Sequence, residues 1–189
     1  MSIRAVEDHF IDLIKARFGG RLRAVDSLPA DWDDDTFRRI LRQAPGVFVV
    51  FGGGDADPSF DEQGRLVIDS QWGFTAVTTH ASGERVRRHG DQREIGAYEI
   101  VEVLTALLHD HVVEGHGQMR LRSIKNLFTD GVEKQGASIY GVEFSMPMFV
   151  TPENGEPPDL GTFRTFHDDI DPAPKDGRIL ASDITNLEQ

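Results

Sequence analysis

The hydrophobic positions at the start of the chain follow a helical beat. Ile3, Val6, Phe10, Leu13, Ile14 and Phe18 recur at three- and four-residue steps, with Glu7, Asp8, Asp12 and Lys15 between them. This spacing predicts an amphipathic helix over residues 2–18, ended by Gly19 and Gly20. Arg21 to Leu28 alternates briefly before Pro29 and reads as a short strand or extended link. Asp33, Asp34 and Asp35 precede Phe37, Ile40 and Leu41 at helical spacing. Carboxylates at a helix start satisfy free N–H groups and the positive dipole end, so the acidic triplet is a cap on a second helix.

After Pro45 and Gly46 the pattern changes period. Val47-Phe48-Val49-Val50-Phe51 is a continuous apolar run, closed by Gly52-Gly53-Gly54, and predicts a central strand. Asp55 to Gly64 is polar and turn-rich. Leu66–Ile68 and Trp72–Thr79 read as two more strands, the second with Trp72, Phe74, Ala76 and Thr78 on one face, which together predict an antiparallel meander. Arg85 to Arg93 reads as a basic loop. Ile95, Tyr98, Val101, Leu104, Leu107 and Leu108 mark a third helix over 94–109. Arg120, Arg122 and Lys125 alternate outward from Leu121 and Ile124, and Ile139 to Met148 alternates more cleanly, so both predict strands. The fold class expected is α+β: an antiparallel sheet of four to six strands with two or three helices on one face.

Composition alters the picture mainly at the C-terminus. The chain has 189 residues and a net charge of −12. Residues 151–189 carry nine acids, three bases and five Pro, so half of the excess charge lies there. Phe163, Phe166, Ile170, Ile179, Leu180, Ile184 and Leu187 are scattered without a period long enough to close a core. The expected organisation is therefore a domain over 1–150 and an extended acidic C-terminal arm over 151–189. The charge disfavours binding to a phosphate backbone. Zero Cys excludes a disulfide framework or thiolate metal site, and no apolar run approaches the ~18 residues of a membrane span. Within this acidic chain, Arg85, Arg87, Arg88 and Arg93 stand out as one positive patch.

Candidate chemistry has a plainer reading at each place. Gly52-Gly53-Gly54 lacks the Lys-Ser/Thr of a phosphate loop and fits a turn or bulge better. Asp55, Asp57, Ser59 and Asp61 alternate like a calcium loop, yet Phe60 and Leu66 stand where Gly and Glu are needed. His109, His111 and His116 cluster with Asp110 and Glu114 without the spacing of a zinc hydrolase. Glu99 and Glu102 lie off the apolar stripe of their helix and face solvent or a subunit. No cofactor or catalytic residue is expected.

One stretch of residues carries a resemblance. Ala44-Pro45-Gly46 leads into Val47–Phe51 and Gly52-Gly53-Gly54; Gly96-Ala97-Tyr98-Glu99 opens a helix ending Ala106-Leu107-Leu108-His109; Tyr140-Gly141-Val142-Glu143-Phe144 follows. Over residues 3–150 this order resembles the phage Mu-like tail terminator family. The resemblance implies a non-enzymatic structural protein of the virion tail, assembled in the host cytoplasm. It would cap a contractile or flexible tail as a ring of six copies, set tail length and present a surface to the head connector. Implied partners are copies of itself, the tail tube and sheath proteins and the head–tail connector, with the genome passing through the lumen unbound and no membrane involved. An acidic channel wall would let nucleic acid slide without sticking. A closed ring needs complementary patches on two faces. The expected subunit contacts are Arg85, Arg87, Arg88 and Arg93 with the arm residues Phe163, Phe166, Ile179 and Leu180. The alternatives are a head-to-tail joining subunit, an acidic adaptor module, or a small hydrolase holding a metal with His109, His111 and Glu114.

Overall fold

The computed structural model describes residues 2–29, 34–60, 65–81, 83–127, 136–150, 165–170 and 181–186. Its elements run α1 (Ile3–Phe18), β1 (Ala24–Ser27), α2 (Asp34–Arg42), β2 (Gly46–Phe60), β3 (Leu66–Thr79), α3 (Glu84–His89), α4 (Ala97–Leu108), β4 (Arg120–Asn126), β5 (Ala137–Val150), β6 (Thr165–Ile170) and β7 (Ala181–Asn186). Residues 1–152 and 153–189 form two compact units. The protein is α+β.

The first unit is built on a five-stranded sheet of order β1-β2-β3-β5-β4. Every pairing is antiparallel except the first, where Val25 lies beside Val47 in a parallel register. The expected all-antiparallel sheet thus has one parallel edge, because α2 carries the chain back to the end at which β1 began. Ser2 caps α1 by accepting the Ala5 N–H, and Gly19 ends it with φ 58°, a conformation that glycine adopts without strain.

Two predicted turns are strand instead. Leu66–Ile68 and Trp72–Thr79 form one 14-residue strand, and β2 continues through the polar Asp55–Asp57 to Phe60. The apolar Leu66–Ile68 pairs with β5 on one side, so its other edge is free to hold β2: Ala56 sits opposite Ile68 and Asp57 opposite Val67. The glycine triplet absorbs a bulge between Phe51 and Gly53, with Gly53 at φ 102°. Asp61 lies outside the described residues, as does Asp33 of the presumed cap. The basic stretch expected as a loop is the short helix α3 followed by a turn, since Val86 and Arg87 face inward.

Helices lie on both faces of the sheet, not on one. α1 and α4 cover the face that carries Val47, Val49, Trp72, Phe74, Ala76, Val142, Phe144 and Met146. Alternation puts Phe48, Val77 and Ile139 on the opposite face, where Ile40 and Ala44 at the end of α2 bury them in a second cluster. The centre of the main core is aromatic: Phe10 meets Trp72 and Phe74 edge-on at 5.2 and 5.5 Å, and Phe74 meets Phe144 at 5.6 Å. Trp72 Nε1 donates to Ser70 Oγ, which donates to the Met146 carbonyl at 2.6 Å, so these buried polar groups are satisfied. In the second unit β6 and β7 pair antiparallel, Phe166 opposite Thr185 and His167 opposite Ile184.

Candidate interaction surfaces

The four arginines of the expected patch do not share one surface. Arg85 and Arg93 are exposed. Arg87 is only 9% exposed; Nη1 donates to the His80 carbonyl at 3.3 Å, and Nε has no partner among the described residues. Arg88 is half-buried, pairs with Glu84 at 3.4 Å and donates to the Tyr98 hydroxyl at 3.3 Å. Its guanidinium lies over the Tyr98 ring. Burial, together with the bond to Tyr98, pushes the Tyr140 phenol up to about 12. Arg93 sits in the turn after α3, where Asp91 accepts the N–H groups of Arg93 and Glu94; those bonds hold its carboxyl below the usual range. Phe166 lies in β6, whereas Phe163, Ile179 and Leu180 fall outside the described residues.

A second basic surface was missed in the linear reading. Ile40 and Ala44 turn into the sheet, and this leaves Arg38, Arg39 and Arg42 on the outer side of α2. Arg23 joins them from the chain before β1, donating to the Arg42 carbonyl at 3.1 Å. Arg38 has Asp35 at 3.6 Å, but that carboxylate is 93% exposed and contributes little. Among the described residues Arg39 and Arg42 have no carboxylate partner. The signal available was the spacing Arg38-Arg39-x-x-Arg42 opposite Phe37, Ile40 and Leu41.

The histidines are drawn apart by separate partners. His109 Nδ1 accepts the Leu121 N–H at 3.2 Å, and His116 Nδ1 accepts the Phe149 N–H at 3.1 Å. His111 reaches across to α1, where its Nε2 lies 2.9 Å from His9 Nε2 with the rings stacked. Asp110 pairs with Arg120, and Glu114 is exposed. Burial, then the charge of His9, lowers the His111 pKa; burial also lowers that of His116. Among the described residues no three His, Asp or Glu side chains converge on a metal position. Asp55 and Asp57 lie within a strand, where a chain cannot wrap an ion as a calcium loop does.

Glu99 is held by both guanidinium nitrogens of Arg21, at 2.5 and 3.0 Å, which lowers its pKa and ties α4 to the end of α1. Glu102 is exposed. Gly96, before α4, is a packing residue. A Cβ there would lie under 3.0 Å from backbone atoms of Gly90, His89 and Arg88, so only glycine lets α3 end against α4.

The first unit, which holds all of these packed segments, also matches a known family along nearly its whole length. The family profile described as Bacteriophage Mu, Gp37 matches residues 2–149. The chain belongs to this family. It is 33% identical over 132 residues to the Mu-like prophage FluMu protein gp37 of Haemophilus influenzae, covering 70% of this chain and 62% of that protein. It is 30% identical over 132 residues to the probable tail terminator protein of Escherichia phage Mu, covering 70% of this chain and 66% of that one. The chain thus spans just under two thirds of the length of these curated relatives. Among solved structures, a chain from the virion of a native gene transfer agent particle aligns at a TM-score of 0.39 and 13% identity, covering 72% of this chain and 84% of that one.

Proposed function

We propose that this member of the Mu Gp37 family is a non-enzymatic structural component of a virion tail, acting as its tail terminator. The observation that carries the reading is the 30% identity to the probable tail terminator of phage Mu over 132 residues. Copies of the chain form a ring, six in number, that caps the tail tube and sheath, sets tail length and offers a face to the head connector. Residues 1–150 are the body of each subunit, and residues 151–189 reach other proteins as an arm. Assembly takes place in the host cytoplasm and ends with the protein in the tail.

The physical chemistry is consistent with that role. A net charge of −12 makes a lumen wall that repels a passing genome. A closed ring joins two different faces of each copy, and in so acidic a protein the positive face is the scarce one. Arg85 and Arg93, exposed on and after α3, are the arginines of the first patch still available to a neighbour, with Phe163, Phe166, Ile179 and Leu180 contributed by the arm. Arg87 and Arg88 support the shape of that surface from behind.

Electron microscopy of particles produced with the gene interrupted tests the assignment. Over-long, variable tails without heads are expected. Tails of normal length that fail to join heads would move the protein to the head-to-tail joining step, and wild-type particles would remove it from tail assembly.

A further inference from the structure

The end of β5 is held by a side chain where a strand would be expected. On its outer side β4 stops at Arg120, paired with Ser145, while β5 runs on to Val150. Beyond that point the segment after α4 takes over the edge. Gly117 donates its N–H to the Pro147 carbonyl at 2.8 Å, and His116 Nδ1 accepts the Phe149 N–H at 3.1 Å. Residue 117 comes this close only as glycine, since a Cβ there would lie 2.2 Å from Pro147 Cγ. The N–H and C=O of one strand residue point to the same side, so the Phe149 N–H faces away from Val67, its neighbour on β3.

This bond fixes the state of the ring. A backbone N–H can only donate, so Nδ1 is the bare nitrogen and the proton of the neutral ring sits on Nε2. His116 is 9% exposed, and among the described residues its Nε2 has no partner. A second proton would have to enter at Nδ1, where it meets the Phe149 N–H donor to donor and leaves a positive ring buried. Burial lowers the pKa most. The charges that bear on the ring add to it: the amino terminus, and Arg65, whose guanidinium lies 4.4 Å from the centre of the Phe149 ring, are both cationic. Glu114, two residues earlier, is exposed and does not offset them. His111 shares its proton with another imidazole, whereas His116 faces an amide that cannot change its role.

We infer that His116 is a proton-operated latch on the end of β5: the neutral ring pins Phe149 to the segment after α4, and protonation of Nδ1 releases it. Phe149 stands three residues before the first unit ends at Pro152, so the latch decides where ordered pairing on that edge stops. The latched ring binds its proton more weakly than a free imidazole, whose value is 6.5. Above that pH the ring is neutral whether latched or released, and the latch holds at full strength. Below it the released ring takes up the proton first, so the latch weakens as pH falls toward the lowered value.

Amide hydrogen exchange of the full chain, read residue by residue by NMR, tests the latch. Val142, paired on both sides in the middle of β5, is the reference. Exchange of Phe149 relative to Val142 is expected to hold constant above pH 6.5 and to quicken by up to about tenfold for each pH unit below it. His116→Asn puts an acceptor oxygen in place of Nδ1 and does not titrate, so in that variant the ratio should stay flat. A native ratio that stays flat down to about pH 4 would overturn the inference, and so would a quickening that persists in the Asn variant. The tautomer is checked without any substitution. Nitrogen-15 shifts at about pH 8 should show Nδ1 bare and Nε2 protonated, and the reverse assignment would sink the latch.

Discussion

Replacing Gly96 with Ala should be among the most damaging single-methyl additions available in this protein. The residue precedes α4 at φ −89°, an ordinary backbone for alanine, so no conformational strain enters. The cost is steric. The new Cβ would lie under 3.0 Å from Gly90 N, His89 C and Arg88 O, against an ordinary contact beginning near 3.4 Å. All three obstacles are backbone, so no rotamer change relieves them, and α3 must part from α4 by roughly an ångström. Overpacking of this kind costs about 1–3 kcal/mol, and alanine is also a poorer N-cap than glycine. We expect a loss of about 3 kcal/mol, or roughly 6–12 °C in melting temperature for a chain of this size. Gly20→Ala is the internal control: among the described residues nothing lies within 4 Å of a Cβ there, and removing backbone freedom from the unfolded chain should leave it neutral or stabilise it by about 0.5 kcal/mol. Urea titration followed by circular dichroism measures both, with an unchanged slope showing that only stability moved. A Gly96→Ala protein melting with the native one would refute the close-approach argument.

Three further perturbations follow from the same geometry. Ser70→Ala removes the hydroxyl that serves both Trp72 Nε1 and the Met146 carbonyl; it should cost about 1–3 kcal/mol by denaturant titration, and a smaller loss would mean that those groups find other partners. His9 and His111 share one N–H across 2.9 Å, and the His111 pKa is held below 6.5 by burial and by His9. The unfolded chain therefore takes up the proton first: this contribution is complete above pH 6.5 and lost as pH falls below it, so His111→Gln should flatten the pH dependence of stability in that window. Glu99→Gln breaks an exposed bidentate pair and should cost less than about 1 kcal/mol at neutral pH. Because the folded carboxyl sits below 4.5, the difference between Gln and Glu should vanish as pH falls through its lowered value, and a difference persisting in acid would assign the effect to packing.

Periodicity located α1, α4 and β5 because each has one wet face and one dry face, and such faces print a 3.6- or 2-residue beat on the chain. α2 was legible too, although its arginines were not read as a surface. The segments misread lack that contrast. Asp55–Asp57 is exposed on both faces and is strand only because Leu66–Ile68 offers it an edge. Arg85–Arg93 is rich in charge, yet Arg87 is buried, a decision made by the packing of α3. Hydropathy likewise could not tell that β1 runs parallel or that α2 takes the opposite face of the sheet, since either face would bury Ile40 and Ala44 equally well.

The sequence by itself determined the family, the α+β mixture, the acidic charge and its concentration after residue 150, because these depend on composition, local order and short-range pattern. Only the tertiary structure decided which arginines are buried and which exposed, and that the histidines take separate partners. Those properties depend on register and distance. A one-dimensional pattern carries neither, because contacts between residues far apart in sequence are set by how whole faces pack.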